Sequence, residues 1–244
     1  MSSISDILLV TAIPVLAMVA GSVVTLWRPP GVRVRSAMQH LASGIVFAAV
    51  ATELVPVMIR GGRVGPMLIG FIIGVCLVLG IRMLDERGGG EDAAGGTPRG
   101  SRGLLMATGV DLLIDGFLVG IGFGLAKSSG WMLTIAISFE VLFIGLPLAM
   151  TLSNRGLGQA RACAWLCAIG LLVPVGAVAG ALLFGVLDAD WRVGILSFGA
   201  AALLYLVTEE LLVEAHEQGE TTVGSAMFFV GFVFSLLLAM VFGH

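Results

Sequence analysis

The sequence predicts an all-α, polytopic integral membrane protein with eight transmembrane helices. Of its 244 residues, 58% are hydrophobic and only 12% are charged. The mean hydropathy of +1.06 is far above that of a soluble domain. The apolar residues fall into eight stretches of about 20, the length a helix needs to cross roughly 30 Å of hydrocarbon. Few residues remain outside these stretches, so a separate soluble catalytic domain is excluded and a single transmembrane domain over 1–244 is expected.

Span 1, about 7–27, follows Met1 to Asp6, which holds an acid and no Lys or Arg. It therefore lacks the basic region of a signal peptide and is read as a retained helix. Spans 2 and 3 occupy about 37–59 and 65–83. Residues 84–102 (LDERGGGEDAAGGTPRGSR) combine glycine, charge and a proline, which predicts a flexible loop between three spans and five. This loop has neither His nor Cys, so it offers no soft-ligand cluster. Spans 4 to 8 follow at about 103–126, 131–153, 160–186, 193–213 and 223–242.

Glycines recur every four residues at Gly70 and Gly74, at Gly116, Gly120 and Gly124, and at Gly176 and Gly180. Such rows let helix backbones approach closely in lipid, where no hydrophobic effect drives association. Pro14, Pro147 and Pro174 fall inside spans 1, 5 and 6, and each removes a backbone hydrogen bond and frees a carbonyl. Cys76, Cys163 and Cys167 all lie within spans, and an odd number there gives no disulfide framework. Cys163 and Cys167, four apart, suit either a soft metal or simple helix packing.

Orientation follows from the basic residues. One face collects Arg28, Arg33, Arg35, Arg82, Arg87, Arg99, Arg102, Arg155 and Arg161, whereas the other holds Arg60, Arg63, Lys127 and Arg192. The positive-inside rule makes the first face cytoplasmic and puts both termini outside, with 84–102 a cytoplasmic loop. The expected location is the cell (inner) membrane.

Three acids carry the functional signal. Asp111 and Asp115 lie one turn apart on one face of span 4, and Glu140 is the only charge in span 5. A carboxylate at that depth is costly, and spans 4 and 5 contain no Lys or Arg to offset it. An unpaired acidic cluster has no structural purpose of its own, so a cation site is expected. Three carboxylates around a divalent ion leave a net charge of −1, and without metal −3, so protons should take the metal's place and metal binding should release them.

Near the cytoplasmic end of span 7, Glu209, Glu210, Glu214 and His216 suit either a solvated helix end or an acidic path for cations. Glu53, toward the outer half of span 2, belongs to the same candidate access path. His40 and His244 are read as incidental.

These residues resemble the ZIP (Zrt/Irt-like) divalent metal transporters. The stretch from Gly199 to His216 is similar to the family's G-A-x-L-Y-V-V-x-x-E-L-I-P-E-x-H segment, with Val213 in place of the proline. Span 2, with Gly44, Glu53, Leu54 and Pro56, is similar to G-V-x-L-x-x-x-x-x-H-L-x-P, Glu53 standing at the histidine. In span 4, Asp111-Leu-Leu-Ile-Asp115-Gly116 occupies the place of H-N-x-P-E-G. In span 5, Glu140 stands at the first ligand position or, one frame to the left, at the second. With eight spans and a long third connection, the resemblance reaches over nearly the whole chain.

The resemblance implies a 3+2+3 arrangement in which spans 1 to 3 and 6 to 8 form an inverted repeat. It also implies a midplane site, alternating access with spans 1, 4, 5 and 6 moving against the rest, and in many relatives a homodimer. A family site able to hold two ions would here keep Asp111, Asp115 and Glu140 and lose its other ligands to Leu112, Val141, Ile144 and Val173. A single-ion, all-oxygen site is the expectation, shifted from zinc toward harder ions such as Mn²⁺ or Fe²⁺. The metal, with Zn²⁺ and Cd²⁺ among the candidates, is the substrate. No cofactor and no nucleic-acid partner is expected, and the lipid bilayer is the surrounding medium. The alternative is a degenerate homologue that does not transport and acts as a metal-responsive or scaffolding membrane protein. An enzyme is not expected, because no nucleophile with a nearby base is present.

Overall fold

The computed structural model describes residues 3–88, 100–154, 158–217 and 222–242, and among these residues the chain is helical without a strand. Eight helices are long and apolar enough to cross a membrane. They are α1 (Ile4–Trp27), α2 (Val32–Gly61), α3 (Val64–Gly88), α4 (Gly100–Leu125), α5 (Lys127–Asn154), α6 (Gln159–Val186), α7 (Ala189–Leu211) and α8 (Thr222–Phe242). A short helix, Leu212–Glu217, carries α7 onward. The chain is an all-α polytopic membrane protein.

Local chemistry explains the helix ends. Ser3 and Asp6 form a reciprocal capping box at the start of α1, each side chain accepting from the other's backbone N–H. Gly62, the one described residue with positive φ (+64°), ends α2 in the left-handed region that favours glycine. The Leu84-Asp-Glu-Arg run consists of residues that tolerate helix, and α3 continues through it to Gly88. Likewise α4 begins at Gly100, so both ends of the stretch expected as a loop are helical, and 89–99 lies outside the described residues.

Of Pro14, Pro147 and Pro174, only Pro174 coincides with a break. It has no N–H to bond the carbonyl of Gly170, and α6 divides at Leu171 into Gln159–Gly170 and Leu172–Val186. Helices α1 and α5 continue through Pro14 and Pro147, because one lost bond is tolerated where flanking bonds persist.

Two wide π-helical turns interrupt α2 and α7, at Val50–Leu54 and Leu206–Leu211. The first contains Thr52-Glu53-Leu54 and the second Thr208-Glu209-Glu210-Leu211. In each, the threonine hydroxyl donates to the carbonyl four residues back, Ala48 or Leu204, at 2.9 Å. The same bond occurs in ordinary α-helical turns of this chain, at Thr11 and Thr134 among others, so the hydroxyl is compatible with the wider turn without setting it.

The helices pack in four close pairs, and glycine permits each one. A Cβ at Gly21 would strike the Leu142 carbonyl, joining α1 to α5; at Gly116, the Val173 carbonyl, joining α4 to α6. At Gly44 it would meet the Phe228 carbonyl, joining α2 to α8, and at Gly70 the Gly194 carbonyl, joining α3 to α7. Exchanging α1, α2 and α3 with α6, α7 and α8, and α4 with α5, turns each pair into another. The packing thus has the symmetry of an internal repeat whose halves run in opposite directions. Helices α4, α5 and α7 occupy the middle, whereas α3 and α8 expose apolar side chains such as Ile72, Phe229 and Val233 along their length.

Candidate metal centre

Six buried hydroxyls among the described residues are satisfied by their own helices. Thr11, Ser22, Thr25, Ser43, Thr134 and Ser197 each donate to the carbonyl four residues earlier, at 2.7 to 2.9 Å. In hydrocarbon an unsatisfied polar group costs several kcal/mol, so this pairing is the expected state. Against it, Asp115 Oδ2 and both carboxylate oxygens of Glu140 are buried with no hydrogen-bond partner. Asp115 is 1% and Glu140 0% exposed.

These orphaned oxygens converge. Asp111, Asp115 and Glu140 each offer a carboxylate oxygen, and the three atoms lie within 4.8 Å of one another. Two oxygens bound to one ion at about 2.1 Å lie about 3.0 Å apart when cis and about 4.2 Å when trans, so side-chain closure on the order of an ångström lets all three share one cation. Asp111 and Asp115 come from consecutive turns of one face of α4, and Glu140 reaches them from α5. Asp111 is partly exposed, which gives the cluster one open side.

An apolar wall adjoins the acids. Leu112, Val141 and Val173 are 0% exposed and belong to one buried cluster, with Ile144 partly buried nearby in sequence. The backbone of α6 comes directly against α4 at this level, because Gly116 has no side chain to hold Val173 away. None of these four side chains can coordinate a metal. The positions that would carry a second set of ligands in the two-ion arrangement therefore hold hydrocarbon.

The other acids singled out in the sequence separate into different surroundings. Glu210, on the π-helical turn of α7, is near enough to act electrostatically on Asp111, Asp115 and Glu140 alike. Its neighbour Glu209 is paired instead with Arg82 of α3 at 3.5 Å, and the same guanidinium donates to the Tyr205 hydroxyl at 3.0 Å. Glu53 is partly buried on the π-helical turn of α2 and outside the three-acid cluster. The Glu214 side chain lies outside the described residues. His216 is exposed just beyond α7. Cys163 is partly buried and Cys167 exposed, and neither joins a group of three or more metal-ligating side chains among the described residues.

Sequence reading missed one residue of interest, His40. It is buried in α2, 3% exposed, with its ring centre 5.2 Å from that of His216. The signal was available in the topology, since the start of span 2 and the end of span 7 lie on the same side of the membrane.

A family model described as ZIP Zinc transporter matches residues 85–239. The match takes in α4 to α8 and leaves 1–84, with α1 and α2, outside it, so it is narrower than the expected resemblance over nearly the whole chain. The chain is also 29% identical over 156 residues to the zinc transporter GufA of Myxococcus xanthus. That alignment covers 63% of this chain and 61% of the relative, so the chain spans less than two thirds of that protein's length.

Proposed function

Because the chain belongs to the ZIP zinc transporter family, we propose that it carries divalent metal cations across the cell membrane toward the cytoplasm through the site formed by Asp111, Asp115 and Glu140. One observation carries this reading: three carboxylates from two adjacent membrane-spanning helices converge, and the buried oxygens of Asp115 and Glu140 have no protein partner. A cation supplies what those oxygens lack. The name of the relative from Myxococcus xanthus points to the same class of substrate.

The site takes one ion. Leu112, Val141 and Val173 leave no oxygen or nitrogen for a second ion beside the first. Oxygen-only ligation admits Zn²⁺ and Cd²⁺ and favours Mn²⁺ and Fe²⁺ more than an imidazole-bearing site would. Protons and metal compete for the same oxygens, so each ion bound displaces protons.

Transport proceeds by alternating access. Support comes from the packing, in which α1, α4, α5 and α6 interlock through glycine, as do α2, α3, α7 and α8. The acids lie on the first group, and Glu210 of the second is near enough to act on them electrostatically. Glu53 receives the cation on the outer side, and Glu210, Glu214 and His216 release it on the cytoplasmic side. Both termini are external, a reading supported by the arginine distribution.

The test is uptake into proteoliposomes of Zn²⁺, Mn²⁺, Fe²⁺ and Cd²⁺ by the purified chain. Asp115→Asn and Glu140→Gln should each lower initial uptake at least tenfold. Absence of uptake of any of these ions by folded, reconstituted protein would replace this reading with a homologue that binds metal without moving it.

A further inference from the structure

We infer that His40 and His216 form a second metal site, distinct from the three-carboxylate site and selective for imidazole-seeking divalent ions such as Zn²⁺, Co²⁺ or Ni²⁺. Two hydrogen bonds set the chemistry. A carbonyl oxygen can only accept, so the Nδ1 of His40, 2.8 Å from the Ser36 carbonyl, carries the proton. The same holds for His216, whose Nδ1 donates to the Leu212 carbonyl. In His40 the lone pair is thereby left on Nε2, and in His216 the Nδ1 is committed to its own helix, so the Nε2 side of each ring is the one turned to a ligand. Metal-binding histidines are held in this way, the distal N–H on a carbonyl and the free nitrogen on the ion.

Geometry agrees with the tautomers. Two imidazoles bound through Nε2 to one tetrahedral ion at about 2.0–2.1 Å place their ring centres roughly 5 Å apart. Here the centres are 5.2 Å apart with the rings inclined at 56°. The Nε2 of His40 is buried and has no hydrogen-bond partner, an expensive state for a ring nitrogen that a metal ion would relieve. The adjacent residue on α2, Gln39, also has a buried side-chain oxygen without a partner.

The two rings are also held in place. The Ser36 hydroxyl donates to the Ala215 carbonyl at 2.9 Å, joining the first turns of α2 to the segment that bears His216. His40 is enclosed while His216 is exposed, so an ion arrives from the His216 side and water completes its shell. Imidazole ligands favour zinc, cobalt and nickel over magnesium and manganese, the reverse of the tilt at the all-oxygen acids. The two sites thus differ in chemistry as well as in place. This second site does not rest on transport, because a binding measurement reads it directly.

The test uses tag-free full-length chain carrying Asp115→Asn and Glu140→Gln, with Co²⁺ as probe. One equivalent of Co²⁺ should bind with visible absorption of a nitrogen-ligated ion, and Zn²⁺ should displace it. His40→Gln and His216→Gln should each weaken binding at least tenfold, while His244→Gln, which changes the remaining histidine, should leave it unchanged. His216 is exposed, so its variant keeps the test decisive if the His40 variant fails to fold. Absence of a Co²⁺ spectrum, or a spectrum that survives both histidine substitutions, would overturn the proposal. Neither outcome depends on whether the parent chain transports.

Discussion

Glu140→Gln separates a metal site from a structural cluster, because the two roles predict opposite effects on stability. The substitution keeps the shape of the side chain at a position that is 0% exposed. Without metal, Glu140 can bond the Asp115 carboxylate only by taking up a proton, and in the unprotonated pair its two oxygens and Asp115 Oδ2 have no hydrogen-bond donor. The amide brings two donors, and one bond to that carboxylate contributes about 1 kcal/mol. At about 2–4 °C per kcal/mol for a chain of this size, the metal-free variant should melt at or a few degrees above wild type. The metal response should go the other way. At a concentration 100 times Kd, an ion stabilises the folded state by about 2.7 kcal/mol, and a variant that has lost a ligand should lose most of that shift. Thermal unfolding in detergent, with chelator and then with Zn²⁺ or Mn²⁺, measures both quantities. A metal-free variant that melts many degrees below wild type, or one that keeps the full metal response, would refute the reasoning.

Further outcomes follow from the same structure. Gly116→Leu should drive α4 away from the Val173 backbone and cost about 1–3 kcal/mol or more by overpacking, read as a lower melting temperature and reduced metal binding. Val173→Glu adds a carboxylate to the apolar wall. It should lower metal-free stability while raising zinc stoichiometry in a chain whose two histidines have been replaced, measured by equilibrium dialysis. Metal binding should weaken as pH falls, since protons occupy the ligand oxygens, and a weakly buffered titration should record proton release on metal addition. Asp190→Ala breaks an exposed pair with Arg63 at 2.9 Å and should change stability by no more than about 1 kcal/mol.

The all-α, eight-helix character of the chain was legible in the sequence because lipid allows so few solutions: an apolar run of about 20 residues has little else to be. Asp111, Asp115 and Glu140 were legible for a related reason, since a charge in such a run stands out against its cost. What escaped sequence reading depends on neighbours. Thr52 and Thr208 give no hint that the turns around them widen, because an isolated threonine donates to the i−4 carbonyl in ordinary helix as well. The adjacent acids Glu209 and Glu210 look equivalent along the chain, yet one pairs with Arg82 of α3 and the other acts electrostatically on the three carboxylates. Topology puts His40 and His216 on one side of the membrane, but only the fold sets the two rings side by side across 176 positions of chain. Pro14 and Pro174 look alike in sequence, but only the second splits its helix.

The distribution of the tight glycine contacts has a mechanical meaning. Where a missing side chain lets one backbone sink into another, the two helices are keyed like cog and rack and cannot slide. Every such seam joins members of the same four-helix group. Between the groups, the one close glycine approach among the described residues is of another kind: Gly199 of α7 receives the tip of the Leu118 side chain, a soft end that can swing to another rotamer. The contacts are therefore rigid along the seams and softer across the plane between them. Under the alternating access proposed above, a cross-link inside either group should leave uptake untouched, whereas a single tether from Leu118 to Gly199 should abolish it.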